Sequence, residues 1–165
     1  MLTIEVAGEA NGTIVVELLA DVAPGHAERL VTLAEAGAYD GVVFHRVIEG
    51  FMAQTGDVEH GVLGDDFDMR LAGRGGSDLP DLQAEFSDVP FQRGIVGMAR
   101  SQSPHSANSQ FFIMFADAPH LNFEYTVVGV VVDGMDVVDQ IKRGAGRNGE
   151  VVGMPDYMVS VTATQ

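Results

Sequence analysis

The stretch Phe44-His45-Arg46-Val47-Ile48-Glu49-Gly50-Phe51-Met52-Ala53-Gln54-Thr55-Gly56-Asp57 sets an arginine inside an otherwise apolar strand. A guanidinium is charged at every physiological pH and carries five N–H donors in a fixed fork, so it can hold or polarise a ligand without any proton transfer. A second stretch again brings polar side chains up against aromatic ones: Gly97-Met98-Ala99-Arg100-Ser101, continuing through Ser106-Ala107-Asn108-Ser109-Gln110-Phe111-Phe112-Ile113. Brought together, the two would form an apolar pocket edged by arginine, glutamine and backbone amides, the general form of a small-ligand or peptide site. The alternative is that Phe51, Met52 and Phe112 are core and Arg46 runs its stem out to solvent.

Other chemistries fit less well. The five histidines (His26, His45, His60, His105 and His120) show neither an HExxH pattern nor close pairing, and there is no cysteine, so no metal ligand set is expected. Asp65, Asp66 and Asp68 lack the later glutamate that a calcium loop requires. Ser101, Ser103, Ser106 and Ser109 lie near His105, but none sits in a GxSxG elbow. The run Gly144-Ala145-Gly146-Arg147-Asn148-Gly149 matches GxGxxG only in form. It follows a helix, whereas a dinucleotide site needs a strand before the glycines and a helix after them, so a helix stop and a turn are expected and no cofactor. Asn11-Gly12-Thr13 reads as a hairpin turn rather than a glycosylation site.

The elements that must position these side chains are mostly strands. A length of 165 residues with 46% hydrophobic and 20% charged content suits one domain, 1–165, with a sizeable core. The net charge of −15 disfavours nucleic acid and membrane surfaces as partners. Glu5, Glu9 and Glu17 interrupt the N-terminal apolar runs and no basic segment precedes them, which points to a cytoplasmic protein. Helical periodicity is confined to Pro24–Ala36, with Ala27, Leu30, Val31 and Ala34 on one face, and to Met135–Arg143. Strands are predicted over Thr3–Val6, Thr13–Leu18, Val42–Val47, Phe51–Thr55, Gly94–Met98, Gln110–Met114, Tyr125–Val132 and Met158–Thr162. So many short strands close most easily into a barrel or sandwich capped by the helices.

FHRVIEGFMAQTGD closely resembles the FHRVI-x-GFM-x-Q-x-GD signature of the cyclophilin family of peptidyl-prolyl cis-trans isomerases, and GMARS followed by NSQFFI resembles its second signature in a form familiar from bacterial members. The resemblance extends over essentially the whole chain, through AGAYDGVVFHRV, Gly73-Arg74-Gly75-Gly76 and YTVVGVVVDGMDVVDQI. It implies a mainly β fold, a closed antiparallel eight-stranded barrel with a helix at each open end, acting as a monomer on proline-containing peptides and unfolded protein chains. Phe51, Met52, Phe112 and Leu121 would then seat the proline ring, Arg46 would supply the catalytic donor, Gln54 would contact the substrate backbone and Gln110 would help to orient Arg46. Ala99 and Arg100 would line the groove through their backbone groups. The chain departs from the best-known pattern at His120, where many members carry Trp, and at Tyr125, where many carry His, so weak cyclosporin binding is expected. Val58–Ala72 is longer than the usual link. It lies in the acid-rich region 57–88, whose field would favour basic residues beside the proline.

A binding module or holdase would keep the same pocket without accelerating rotation, but it would need only the apolar seat and not Arg46.

Overall fold

Leu2, Ile4 and Val6 alternate with Thr3, Glu5 and Ala7, and this period of two turns the first set into the core. In the computed structural model, which describes residues 1–146 and 148–164, they form β1 (Leu2–Ala7), paired antiparallel with β2 (Gly12–Leu18). The connection is longer than a two-residue Asn11-Gly12 turn. Gly8 adopts φ +129°, Asn11 Nδ2 donates to the Gly8 carbonyl at 2.7 Å, and Gly12 already belongs to β2.

After α1 (Pro24–Glu35) come β3 (Val42–Val43), β4 (Arg46–Ile48), β5 (Met52–Thr55), β6 (Ile95–Met98) and β7 (Phe111–Met114). A single 3-10 turn (Pro119–Leu121), β8 (Val127–Asp133), α2 (Met135–Gln140) and β9 (Tyr157–Ala163) complete the order. Residues 56 to 94 carry no regular strand between β5 and β6.

The strands form one curled sheet in the order β3-β9-β1-β2-β8-β6-β7-β5-β4. The expected closed barrel of eight strands is corrected on two counts: the described residues form nine strands, and the ladder is open, with β3 at one end and β4 at the other. The cause lies at Phe44 and His45. Val42–Val47 reads as one strand, but the backbone leaves the ladder at these residues, where Phe44 N donates to Asp156 O (2.8 Å) and His45 O accepts from Val151 N (3.1 Å). The first half therefore pairs with β9 and the second with β5. The glycine-rich segment after α2 covers the edge of β4 instead of a further strand, since Val47 N donates to Gly149 O (2.8 Å) and Gly144 N to Val47 O (2.7 Å). Arg147 of that segment lies outside the described residues.

Helix α1 starts on Pro24, is followed by Gly37 at φ +72°, and buries Ala27, Leu30, Leu33 and Ala34. Val31, expected on that face, is only half-buried. Helix α2 stops at Gln140 and not at Arg143, because Ile141 turns extended (ψ 132°) and Lys142 N donates to the buried Asp156 carboxylate at 2.9 Å. Arg143 still serves the helix end, where its Nη1 donates to the carbonyls of Asp139 (2.9 Å) and Ile141 (2.6 Å).

Strands β5, β6 and β7 carry a separate apolar cluster on each face. Ala53, Val96, Met98, Phe111 and Ile113 join the main core with Ile4, Leu30, Phe44 and Val47. The alternate residues Met52, Ile95, Phe112 and Met114 join Phe91, Ala118, Leu121 and Val127 in a second cluster. Arg46 and Gln54 have this second parity. A one-residue slip would drive both into the main core and turn main-core residues such as Val47 and Ala53 toward the other face. Burying each such side chain is worth ~1.5–3 kcal/mol and an unpaired buried guanidinium costs several, so the register is strongly pinned.

The break in the Val42–Ile48 run also buries His45, which is 6% exposed and whose Nδ1 finds no partner among the described residues. Burial, opposed by nearby Asp57 and reinforced by Arg46, lowers its pKa to about 4. The unfolded chain, with an ordinary histidine near ~6.5, takes up the proton first as the pH falls. His45 therefore supports full stability above about pH 6.5 and withdraws on the order of 3 kcal/mol between there and about pH 4. Urea unfolding midpoints should fall between pH 7 and 4.5 in the native protein and fall less in His45→Gln. Parallel profiles for the two proteins would show that another group is responsible.

Candidate active site

Antiparallel pairing sets Arg46 opposite Gln54, Gln54 opposite Phe112, and Phe112 opposite Gly97, one row across four strands on the second face. Arg46 Nε donates to Asn148 O at 2.8 Å and Nη1 to Gln54 Oε1 at 3.1 Å. Gln54 Nε2 donates to Gln110 Oε1 (2.9 Å), and Gln110 Nε2 donates to the carbonyls of Gly73 (3.0 Å) and Gly75 (2.9 Å). The chemistry at the two ends fixes both amide orientations. Carbonyls only accept, so Gln110 must turn its nitrogen to the glycines, and the guanidinium only donates, so Gln54 must turn its oxygen to Arg46. Among the described residues Nη2 of Arg46 donates to nothing and remains for a ligand.

Beside this row lies an apolar seat. Met52 (2% exposed), Phe112 (5%) and Leu121 (7%) form its floor. Phe91 stacks on Phe112 with ring centroids 5.8 Å apart. Gly97 makes this possible, because a Cβ there would lie 2.6 Å from both rings. Phe51 and His120 face each other at the rim (5.8 Å), and Tyr125 meets Phe112 edge-on (5.9 Å). Arg100 lies 4.4 Å over the Tyr125 ring and donates through Nη2 to Glu124 O at 2.6 Å. The expectation for Arg100 concerned its backbone; here its side chain secures the wall of the cleft.

Arg46, Phe51, Met52, Gln54, Ala99, Arg100, Phe112, His120, Leu121 and Tyr125 all line one cleft of about 770 Å³. Gln110 lines an adjoining cavity of about 370 Å³ that shares Gln54, Ala99 and Arg100 with the cleft. Its link to Arg46 is therefore indirect, through Gln54. Met69 and Ala72, from the long 58–72 segment, also line the cleft, so that segment forms part of the wall. Among the described residues no three His, Asp or Glu side chains are gathered as a metal site.

Asn148 contributes a backbone carbonyl that no side-chain pattern announces. Asp57 belongs by sequence to the acid-rich region 57–88. Asp57 is fully buried, Glu85 accepts from Gly25 N and His26 N at the start of α1, and Asp68 pairs with Arg70 at 2.8 Å. Among the described residues, only Asp68 of these three has its charge offset by an arginine.

The chain matches, over residues 1–163, the family described as cyclophilin type peptidyl-prolyl cis-trans isomerase/CLD. A probable peptidyl-prolyl cis-trans isomerase of Brucella suis biovar 1 is 57% identical over 152 residues, which cover 92% of this chain and 78% of that protein. Peptidyl-prolyl cis-trans isomerase B of Escherichia coli is 38% identical over 148 residues, 84% of each chain. In fold the chain is similar to a cyclophilin type isomerase of Cryptosporidium parvum solved in the presence of the dipeptide Ala-Pro, with a TM-score of 0.80 at 23% identity, covering 99% of this chain and 98% of that one. A signature-bearing row of Arg46, Gln54 and Phe112 on a matching fold, with a family match over nearly every residue, leads to one conclusion: the chain belongs to the cyclophilin-type peptidyl-prolyl cis-trans isomerases.

Proposed function

We propose that the chain isomerises X-Pro bonds by seating the proline ring on Met52, Phe112, Leu121 and Phe51 while Arg46 donates a hydrogen bond to the prolyl nitrogen. Rotation about the peptide C–N bond faces a barrier of ~18–20 kcal/mol because twisting destroys amide resonance. In the twisted state the nitrogen becomes pyramidal and regains a localised lone pair. A donor aimed there binds the transition state better than the planar ground state and so accelerates the chemical step. No nucleophile, proton transfer or cofactor is required.

The observation that carries this reading is the guanidinium itself, held on one side by Asn148 O and on another by Gln54 Oε1, at the edge of an apolar floor. A noncatalytic binding module would gain nothing from a row of amides devoted to orienting a cation. Gln54 retains one amide hydrogen and one lone pair after its bonds to Gln110 and Arg46, which suits it to the substrate backbone. The proposed substrates are proline-containing peptides and unfolded chains that expose them.

Arg46→Ala should keep the seat and lose the donor. A protease-coupled assay on a short X-Pro peptide should show kcat/KM reduced by on the order of 2–4 kcal/mol, by analogy with removal of an oxyanion-hole donor, with a much smaller change in peptide affinity. Equal losses of affinity and turnover would assign the arginine a structural role.

His120 bears on inhibition. It is exposed at the rim and faces Phe51, where a Trp would add an indole N–H and a broader apolar face. Cyclosporin should inhibit the native protein poorly and His120→Trp more strongly. Unchanged potency would show that position 120 does not take part in binding the drug.

A further inference from the structure

We propose that Asp57 is a positioning residue for catalysis, its carboxylate setting the aim of Arg46 through the glycine-rich turn, Gln110 and Gln54. The proposal rests on the reading of Arg46 as the donor.

Asp57 is 0% exposed and follows β5 by two residues. Its Oδ1 accepts from Glu59 N (3.0 Å) and His60 N (2.8 Å), and its Oδ2 accepts from Gly73 N (2.8 Å) and Gly75 N (3.0 Å). One carboxylate thus ties the start of the long 58–72 segment to its end. Among the described residues no cationic side chain forms an ion pair with it. The four backbone N–H groups are what keep the buried charge satisfied. An amide side chain could not replace it, since half of its polar head would turn donors toward donors.

The same two glycines send their amides to Asp57 and their carbonyls to Gln110 Nε2. Both hydrogens of that amide are consumed, so any shift of the turn frees Gln110, then Gln54, then the Arg46 Nη1 bond. The turn is built tightly round the carboxylate. A Cβ on Gly75 would lie 2.6 Å from Asp57 Oδ1, and Gly73 sits at φ +96° with a Cβ position 2.9 Å from the His45 ring. Closing the segment alone would not require two carbonyls to converge on the nitrogen of an amide whose oxygen faces Gln54.

Asp57→Asn tests the relay, read by turnover on an X-Pro peptide, by peptide affinity and by the NMR resonance of Arg46 Nε–H. The expected result is a loss of about tenfold in kcat/KM, affinity within about twofold of native, and a displaced Arg46 resonance. In a Gln110→Met background, where the relay is already cut, the same substitution should cost nothing further. An unmoved Arg46 resonance in the folded variant, or an equal loss in both backgrounds, overturns the relay. A displaced resonance with native turnover overturns instead the reading of Arg46 as donor. If Asp57→Asn loses its native near-UV circular dichroism, Gln110→Met alone decides: reduced turnover at native affinity supports the relay, and native turnover overturns it.

Discussion

A guanidinium donates five hydrogen bonds and accepts none, so its direction is set by the acceptors placed round it. At Arg46 these are a backbone carbonyl from the segment after α2 and the oxygen of a glutamine on the neighbouring strand. Much of the architecture follows from supplying them. The glycine-rich segment that covers the open edge of β4 is the one that carries Asn148, so edge protection and aiming are performed by one segment. The amide of Gln54 is in turn held by Gln110 and the carbonyls of Gly73 and Gly75.

Strands β5 to β7 serve two cores at once. Their inward residues complete the main core, while Met52, Phe112 and Met114 build a second cluster that is closed by Phe91, Leu121 and Val127. The apolar seat is therefore the accessible margin of a packed cluster and inherits its rigidity. Rigidity matters to the proposed mechanism because a hydrogen bond to a nitrogen that is basic only in the twisted state works only if the donor does not have to reorganise. A neutral, buried His45 adds no competing charge beside Arg46 near neutral pH.

Much of this was legible in the sequence, for reasons that can be stated residue by residue. Apolar alternation placed β1 and β2 because each has one face on the core, short β-branched and aromatic runs placed β5, β7 and β9, and Pro24 and Gly37 marked α1 because their backbone preferences are local. Arg46 stood out because a charge in an apolar strand needs a reason, and the resemblance over FHRVIEGFMAQTGD supplied it. What stayed hidden depended on distant partners. The ladder opens at Phe44 and His45 because Asp156 and Val151 bond their backbones, and α2 stops early because Asp156 takes the Lys142 amide. Asp57 read as loop charge because four amides from 59 to 75 are invisible to composition. Asn148 acts through a carbonyl that every residue possesses.

In the proposed mechanism a fixed, forked donor at position 46 lowers the barrier on the enzyme. Exchange NMR on an X-Pro peptide at saturating native protein and at saturating Arg46→Lys measures that step directly, because it separates interconversion of the bound isomers from binding. Lysine keeps the positive charge but loses the planar fork that Asn148 O and Gln54 Oε1 hold. With Arg46 as the donor, both isomers should still bind the variant while their interconversion on the protein slows by on the order of tenfold or more. Interconversion at the native rate in Arg46→Lys would contradict that role.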